Sequence, residues 1–153
     1  MTNDAIIDAL NSLIVINNDR IEGYDTAANE TDEADLKDLF HKCMNTSVLC
    51  KAKLVAEVHL LGGTPDEGTR ITGKFFRVWM DFKAFLTSKD RVSILNSCEF
   101  GENVAIDAYM SVLTSEAETL SLVHIDFLNA QKNLLINDRD RIIALREALA
   151  VAA

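Results

Sequence analysis

The sequence predicts an all-α protein in which four long helices form a bundle, within a single domain over residues 1–153. Three observations support this prediction. The chain of 153 residues contains a single proline, a residue that is costly inside a helix. Apolar residues recur at spacings of three and four, as expected for amphipathic helices. The sequence lacks the regular apolar-polar alternation and the glycine-asparagine turns that indicate strands and hairpins.

The first two helices are predicted over residues 4–29 and 33–61. The inward side of the first helix carries Ile7, Leu10, Ile14, Asn17, Ile21, Tyr24 and Ala28. The inward side of the second carries Leu36, Leu39, Phe40, Cys43, Ser47, Cys50, Leu54, Glu57 and Leu61. We expect Thr31 or Asp32 to cap the second helix, because both accept hydrogen bonds from free backbone amides. Glycine and proline over residues 62–65 end it.

An aromatic segment and two further helices are predicted in the second half of the chain. Residues 62–71 are expected to be loop, and residues 74–86 a short amphipathic helix with Phe75, Phe76, Trp79, Phe82 and Phe85 on one broad face. The third helix is predicted over residues 89–113, with Ser88 or Asp90 as its cap. Its inward side carries Ile94, Leu95, Cys98, Glu102, Ala105, Tyr109 and Val112. The fourth helix, about 30 residues long, follows Thr114-Ser115. Its inward side carries Leu120, Val123, Phe127, Gln131, Leu134, Asp138, Arg141, Ile142, Leu145 and Leu149.

The lengths of the connections predict the directions of the helices. The joints near residues 31 and 115 are short, so the first and second helices run antiparallel, as do the third and fourth. About 27 residues separate the second helix from the third, which is enough chain to travel the length of the bundle and leave these two helices parallel. The expected architecture is therefore up-down-down-up with a short crossover helix, which is the ferritin-like arrangement.

Six short segments along the chain carry a family resemblance. They are LNSLI at 10–14, NDRIEGY at 18–24, EVHLLGG at 57–63, RVWMDFK at 77–83, CEFGE at 98–102 with Ala108-Tyr109, and DRIIALR at 140–146. In order and spacing they resemble the small bacterial ferritin-like family named domain of unknown function 2383, over nearly the whole chain. The resemblance implies a ferritin-like four-helix bundle and no established activity.

Four acidic residues are candidate metal ligands at one level of the expected bundle. Glu102 and Asp138 lie within about 40° of the centres of their inward sides. Asp25 falls close to the inward side of the first helix, with Glu22 beside it. These residues would suit iron or manganese, which bind carboxylate oxygens.

The second helix does not complete a di-iron centre. Such a centre in a ferritin-like bundle needs a Glu-x-x-His on each of two helices, and the sequence contains none. At that level the second helix offers sulfur and hydroxyl groups. Three other arrangements are open for Glu102 and Asp138. They can pair with Arg20, Arg139 or Arg141, or they can bind water and tyrosine hydroxyls. They can also form a single weak site for a divalent ion.

Other polar positions have structural interpretations. Glu57 and His124 are expected near each other at the opposite end of the bundle, as a hydrogen-bonded pair. His59 projects outward into solvent. Asn17 interrupts an apolar stripe, where a buried amide typically fixes the register between helices. The three cysteines, Cys43, Cys50 and Cys98, show no metal-type spacing and are expected to be reduced core thiols.

The net charge and the hydropathy of the chain disfavour some classes of binding partner. The formal net charge of −9 disfavours nucleic acid, and no apolar run reaches the ~20 residues of a membrane span. The start of the chain has no basic segment followed by an apolar one, so a cytoplasmic location is expected. The aromatic face over Phe75 to Phe85 suits packing on its own bundle, a homodimer interface, a partner groove or a membrane surface. We expect a non-catalytic protein that acts by binding or self-assembly; the alternative is a metal-binding protein or vestigial di-iron oxidase.

Overall fold

The computed structural model describes residues 2–68, 82–84 and 90–152, and this part of the chain is helical, without strands. Four long helices account for most of it. They are α1, Thr2–Glu30; α2, Ala34–Leu60; α3, Arg91–Ser115; and α4, Leu122–Ala152. The all-helical prediction is confirmed. No helix in these ranges is long and apolar enough to cross a bilayer.

The joint between α1 and α2 differs from the prediction at its cap. Glu33 occupies the cap position of α2, and its side chain makes no capping hydrogen bond. The Thr31 hydroxyl instead accepts from the backbone N–H of Glu33 at 3.2 Å, so it closes the tight turn between the helices. The predicted cap at Thr31 or Asp32 was therefore wrong, because the turn uses the threonine hydroxyl before the helix begins.

Two glycines end α2 for different reasons. Gly62 has φ 85°, in the left-handed region that glycine adopts without strain. The N–H of Gly63 donates to the carbonyl of Val58 at 2.9 Å, which closes the helix end. A Cβ on Gly63 would lie 2.8 Å from Cγ2 of Ile7, so a larger residue here would force the Ile7 side chain to move.

The ends of α3 and α4 refine the predicted bounds. Asp90 caps α3, as predicted, by accepting from the backbone N–H of Ser93 at 3.1 Å. Helix α3 continues to Ser115, and α4 begins only at Leu122. The Ser121 hydroxyl accepts from the backbone N–H of His124 at 3.1 Å and caps α4. Leu120 thus precedes the helix, although it remains buried.

Hydrogen bonds between side chains on different helices fix the helix directions. Asn17 of α1 contacts Tyr109 of α3, and Arg20 contacts Glu102, so α1 and α3 run antiparallel. Between α2 and α4, Glu57 contacts His124, and the carbonyl of Cys50 accepts from Gln131, so these helices are also antiparallel. With α1 packed on α2 and α3 on α4, α1 and α4 point one way and α2 and α3 the other.

Two apolar clusters fill the interior of the bundle. One surrounds Leu10, Leu54 and Leu128 towards the end that holds Gly62, and the other surrounds Phe40 and Ile142 towards the joint of α1 and α2. The predicted inward side of α3 is buried throughout. The buried face of α4 includes Gln131, Asp138 and Ile142, as predicted, but it is rotated towards His124, Leu128 and Leu135. Val123 and Leu134 were predicted to face inward and are exposed.

The aromatic segment falls largely outside the described residues. Phe82 is buried and meets the ring of Phe40 edge-on, with ring centroids 5.7 Å apart. Phe75, Phe76, Trp79 and Phe85 lie outside the described ranges. The described start of the connection contacts α1, where Asn11 and Asn18 donate to the carbonyls of Thr64 and Gly68.

Candidate functional site

A buried arginine of α1 lies between the two apolar clusters and connects α1 to the other three helices. The Arg20 guanidinium donates to both carboxylate oxygens of Glu102, with Nε to Oε2 at 3.0 Å and Nη2 to Oε1 at 2.6 Å. Nη2 also donates to Oδ2 of Asp138 at 3.3 Å. This forked pairing matches the planar geometry of guanidinium and carboxylate, which makes it stronger than a single contact.

Helix α2 completes the surroundings of the guanidinium. Nη1 of Arg20 donates to the Ser47 hydroxyl and, at 3.4 Å, to the backbone carbonyl of Cys43. Arg20 thus makes five hydrogen bonds, which equals the number of N–H groups that a guanidinium carries. A fully buried cation is tolerated when every donor is satisfied in this way.

In addition to Arg20, two further side chains bind these two carboxylates. The Tyr24 hydroxyl donates to Oε1 of Glu102 at 2.5 Å, and Nη1 of Arg141 contacts Oδ1 of Asp138 at 3.2 Å. Tyr24 is buried, whereas the Arg141 side chain is 48% exposed. Asp138 is therefore linked to the surface through Arg141, while Glu102 is enclosed.

The electrostatics of the cluster favour a charged arginine. Burial is the largest single effect on the pKa of Arg20 and acts to lower it, but the charge and hydrogen bonds of Glu102, together with Tyr24 and Cys43, outweigh burial, and the pKa lies well above its usual range. Burial raises the pKa of Tyr24 well above normal, and the charge of Glu102 adds to this effect. Tyr24 is thus a neutral hydroxyl donor at physiological pH.

The residues at this level do not fit a di-iron centre. Sγ of Cys43 and one oxygen each of Glu102 and Asp138 lie within 4.8 Å of one another, which is close enough for a single ion. The Arg20 guanidinium is bonded to those same two carboxylates and brings a fixed positive charge among them. Burial also raises the pKa of the Cys43 thiol.

The structure brings together two of the four predicted ligands. Glu102 and Asp138 are buried, while Glu22 and Asp25 lie at exposed positions of α1. The buried face of α1 includes Leu13 and Arg20, which turns it away from the side that carries Glu22 and Asp25. The expected layer of four carboxylates is therefore not formed.

From the sequence, Arg20 was predicted only as one of three candidate partners of these carboxylates. Arg20 follows Asn17 by three residues and precedes Tyr24 by four, which places it on the inward side of the helix. This spacing was the available signal. It was overlooked because an arginine is rarely buried unless it is paired, and the pairing is visible only in three dimensions.

A second polar level crosses the bundle one turn away. Nδ2 of Asn17 donates to the Tyr109 hydroxyl at 2.9 Å, Tyr109 donates to Oε1 of Gln131 at 2.7 Å, and Gln131 donates to the carbonyl of Cys50 at 3.1 Å. This series of hydrogen bonds connects all four helices. It agrees with the interpretation of Asn17 as a residue that fixes register.

A third polar contact lies nearer the end of the bundle. Nε2 of His124 is 3.1 Å from Oε2 of Glu57, and its Nδ1 is 3.0 Å from the Ser121 hydroxyl. The expected Glu57–His124 pair is therefore present. His59 is exposed, and the three cysteines are free and buried, as anticipated.

Comparisons with known proteins identify a family without assigning an activity. A search of curated proteins gave no match. The sequence profile of a family described as a domain of unknown function (DUF2383) matches residues 5–115, which cover α1, α2, the connection and α3. Because the match spans more than half of the chain, this protein belongs to the DUF2383 family.

Proposed function

We propose that this protein is a ferritin-like scaffold that works without a metal centre and acts by self-association. The observation that carries the proposal is the Arg20 guanidinium bonded to both Glu102 and Asp138. In a ferritin-like di-iron protein, carboxylates at the centre of the bundle bind two cations. Here a side chain of the protein supplies the positive charge at that place.

The donor set supports a structural role for the cluster. A di-iron centre needs several anionic oxygens and two imidazoles, whereas this level offers two carboxylates, one thiol and a serine hydroxyl. Each polar group has a protein partner, so the cluster can stabilise the bundle without a ligand. Three free, buried cysteines fit a reducing compartment, and we place the protein in the cytoplasm.

A second candidate function is the binding of a single divalent ion such as iron or manganese. The observation that favours it is the group of Cys43, Glu102 and Asp138, whose ligand atoms lie within 4.8 Å of one another. Binding would require Arg20 to withdraw from both carboxylates. The five hydrogen bonds of Arg20 oppose that movement.

Elemental analysis of protein purified without chelators distinguishes the two candidates. We expect far less than one iron or manganese per chain, and the same thermal unfolding midpoint with and without added manganese. A stoichiometric metal that is lost in Glu102→Ala but retained in Glu22→Ala would contradict the metal-free proposal. Glu22→Ala is the matched control because Glu22 is an exposed acid on α1.

Self-association is tested separately by sedimentation velocity over a wide range of protein concentration. We expect a dimer or larger species that dissociates on dilution. A chain that stays monomeric at every concentration would refute the assembly part of the proposal and leave the metal-free part standing.

A further inference from the structure

One hydrogen-bond acceptor in the interior of the bundle lacks a protein partner. Asn17 is fully buried, and its Oδ1 accepts no hydrogen bond from the described residues. Its Nδ2 uses both protons, donating to the carbonyl of Leu13 at 2.8 Å and to the Tyr109 hydroxyl at 2.9 Å. A buried acceptor without a partner is costly, and in native proteins it is commonly satisfied by an internal water molecule. The Asn17 oxygen therefore indicates a bound ligand.

The neighbours of Asn17 fix which way its amide points. Nε2 of Gln131 donates to the carbonyl of Cys50, which can only accept, so Oε1 of Gln131 faces Tyr109. Tyr109 consequently donates its proton to Gln131 and accepts from Nδ2 of Asn17. Reversal of the amide would also place Oδ1 of Asn17 against the carbonyl of Leu13, where two acceptors would meet. The unpaired atom is therefore the oxygen, and its ligand must donate a hydrogen bond.

A buried hydroxyl lies close to this oxygen along the bundle axis. Asn17 is about one turn of α1 away from Arg20, and Arg20 donates to the Ser47 hydroxyl. Ser47 is fully buried, and because its oxygen accepts from Arg20, its rotatable proton can be donated to a third group. One helical turn rises about 5.4 Å, which is close to the length of two hydrogen bonds in series through one oxygen atom. A single water molecule can therefore join Asn17 to Ser47.

The surrounding charges favour a neutral ligand over a cation. Arg20 carries a positive charge and is bonded to Ser47, so a second cation beside that hydroxyl would be repelled. The carboxylates of Glu102 and Asp138 are already bonded to Arg20. Asn17 and Ser47 offer two neutral oxygens, whereas calcium and magnesium take six or more oxygen ligands. A water molecule both donates and accepts, so it satisfies both side chains at once.

We propose that a single water molecule is bound inside the bundle, where it donates a hydrogen bond to Oδ1 of Asn17 and is hydrogen-bonded to the Ser47 hydroxyl. It connects the level of Arg20 to the level of Asn17, so that the two become one hydrogen-bonded network reaching all four helices. Buried polar networks specify a unique packing when every member is satisfied. The water is thus an integral part of the bundle, and its binding is independent of self-association.

An electron-density map of the native chain at atomic resolution tests this site. We expect a water peak in every copy of the chain, within hydrogen-bond distance of both Oδ1 of Asn17 and Oγ of Ser47. Absence of a peak beside Oδ1, or a direct hydrogen bond from a protein group to that atom, would overturn the proposal. A peak with the short distances and many ligands of a metal ion would overturn it in favour of a cation.

Oxygen-17 relaxation dispersion counts long-lived internal water molecules in solution and provides a second test. We expect Asn17→Leu, which removes the acceptor, to lose one long-lived water per chain relative to the native protein. The control is Asn96→Leu, the same change at an exposed position of α3, which should keep the native number. Circular dichroism verifies that both variants are helical, and the crystallographic test needs no variant if Asn17→Leu does not fold. Equal numbers of long-lived waters in the native chain and in folded Asn17→Leu would contradict the proposal.

Discussion

Arg20 connects α1 to the other three helices through a single planar group. Its partners are the carboxylates of Glu102 and Asp138, the Ser47 hydroxyl and the Cys43 carbonyl. Moving these charges out of water is costly, and mutual pairing offsets that cost only while the set stays complete. The energetic consequence of a mutation therefore depends on which member of the cluster is removed.

Removal of Arg20 should destabilise the bundle strongly. We expect Arg20→Met to lower the free energy of unfolding by about 3–5 kcal/mol in urea titrations, because two carboxylates would remain buried beside each other. Arg141→Met removes a half-exposed contact to Asp138 and should cost about 1 kcal/mol or less. Equal small losses in both variants would show that Arg20 contributes little to stability.

The two tyrosines provide a pH-dependent readout of the interior. Tyr24 and Tyr109 are the only tyrosines of the chain and both are buried, and burial raises the pKa of each above its ordinary value of 10.0. Burial also raises the pKa of Cys50 from 9.0 to about 11. The unfolded chain loses these protons at lower pH than the folded chain does. The contribution of the three neutral side chains to the free energy of unfolding is therefore complete below about pH 9 and declines as the pH rises.

An alkaline titration measures this effect. We expect tyrosinate absorbance at 295 nm to appear in one step, together with the loss of helical circular dichroism. Ionisation of either tyrosine near pH 10 in a chain that remains helical would contradict the burial of that residue.

The spacing of apolar residues predicted the positions of the four helices, but it predicted the buried face of α3 better than the buried face of α4. The predicted inward side of α3 is buried throughout because few charged residues interrupt it. On α4 the apolar residues extend over more than one face, and Val123 and Leu134 were predicted to face inward although both are exposed. The contact of His124 with Glu57 of α2 turns the buried face towards His124, and no local pattern contains that information.

The start of α3 depends on a cap that the sequence did predict. The N–H and hydroxyl of Ser93 both donate to the Asp90 carboxylate, and these hydrogen bonds lower the pKa of Asp90. We expect Asp90→Ala to lower the urea midpoint, whereas Asp107→Ala, the same change at an exposed position within α3, should leave it nearly unchanged. The difference should vanish in acid, because protonation removes the capping charge. Equal midpoints at neutral pH would show that Asp90 is not a cap.

In the molecule as a whole, two helical hairpins pack together, and polar side chains bond across the contact between them. Helices α1 and α2 form one hairpin and α3 and α4 the other. Buried hydrogen bonds join the described parts of the hairpins at three levels, and Arg91 of α3 adds ion pairs to Glu33 and Asp35 at the start of α2. The sequence predicted the hairpins, the Glu57–His124 contact and a partner for Glu102. It did not predict the five-bond arrangement of Arg20, because the partners come from three helices that are distant in sequence.

We propose that the Arg20 guanidinium, and not a metal ion, neutralises Glu102 and Asp138 at the centre of the bundle. The most direct measurement is an anomalous-difference map from crystals grown with manganese. We expect continuous density for Arg20 between Glu102 and Asp138 and no anomalous peak at that position. A strong peak bound by those two carboxylates, with Arg20 turned away, would contradict the claim.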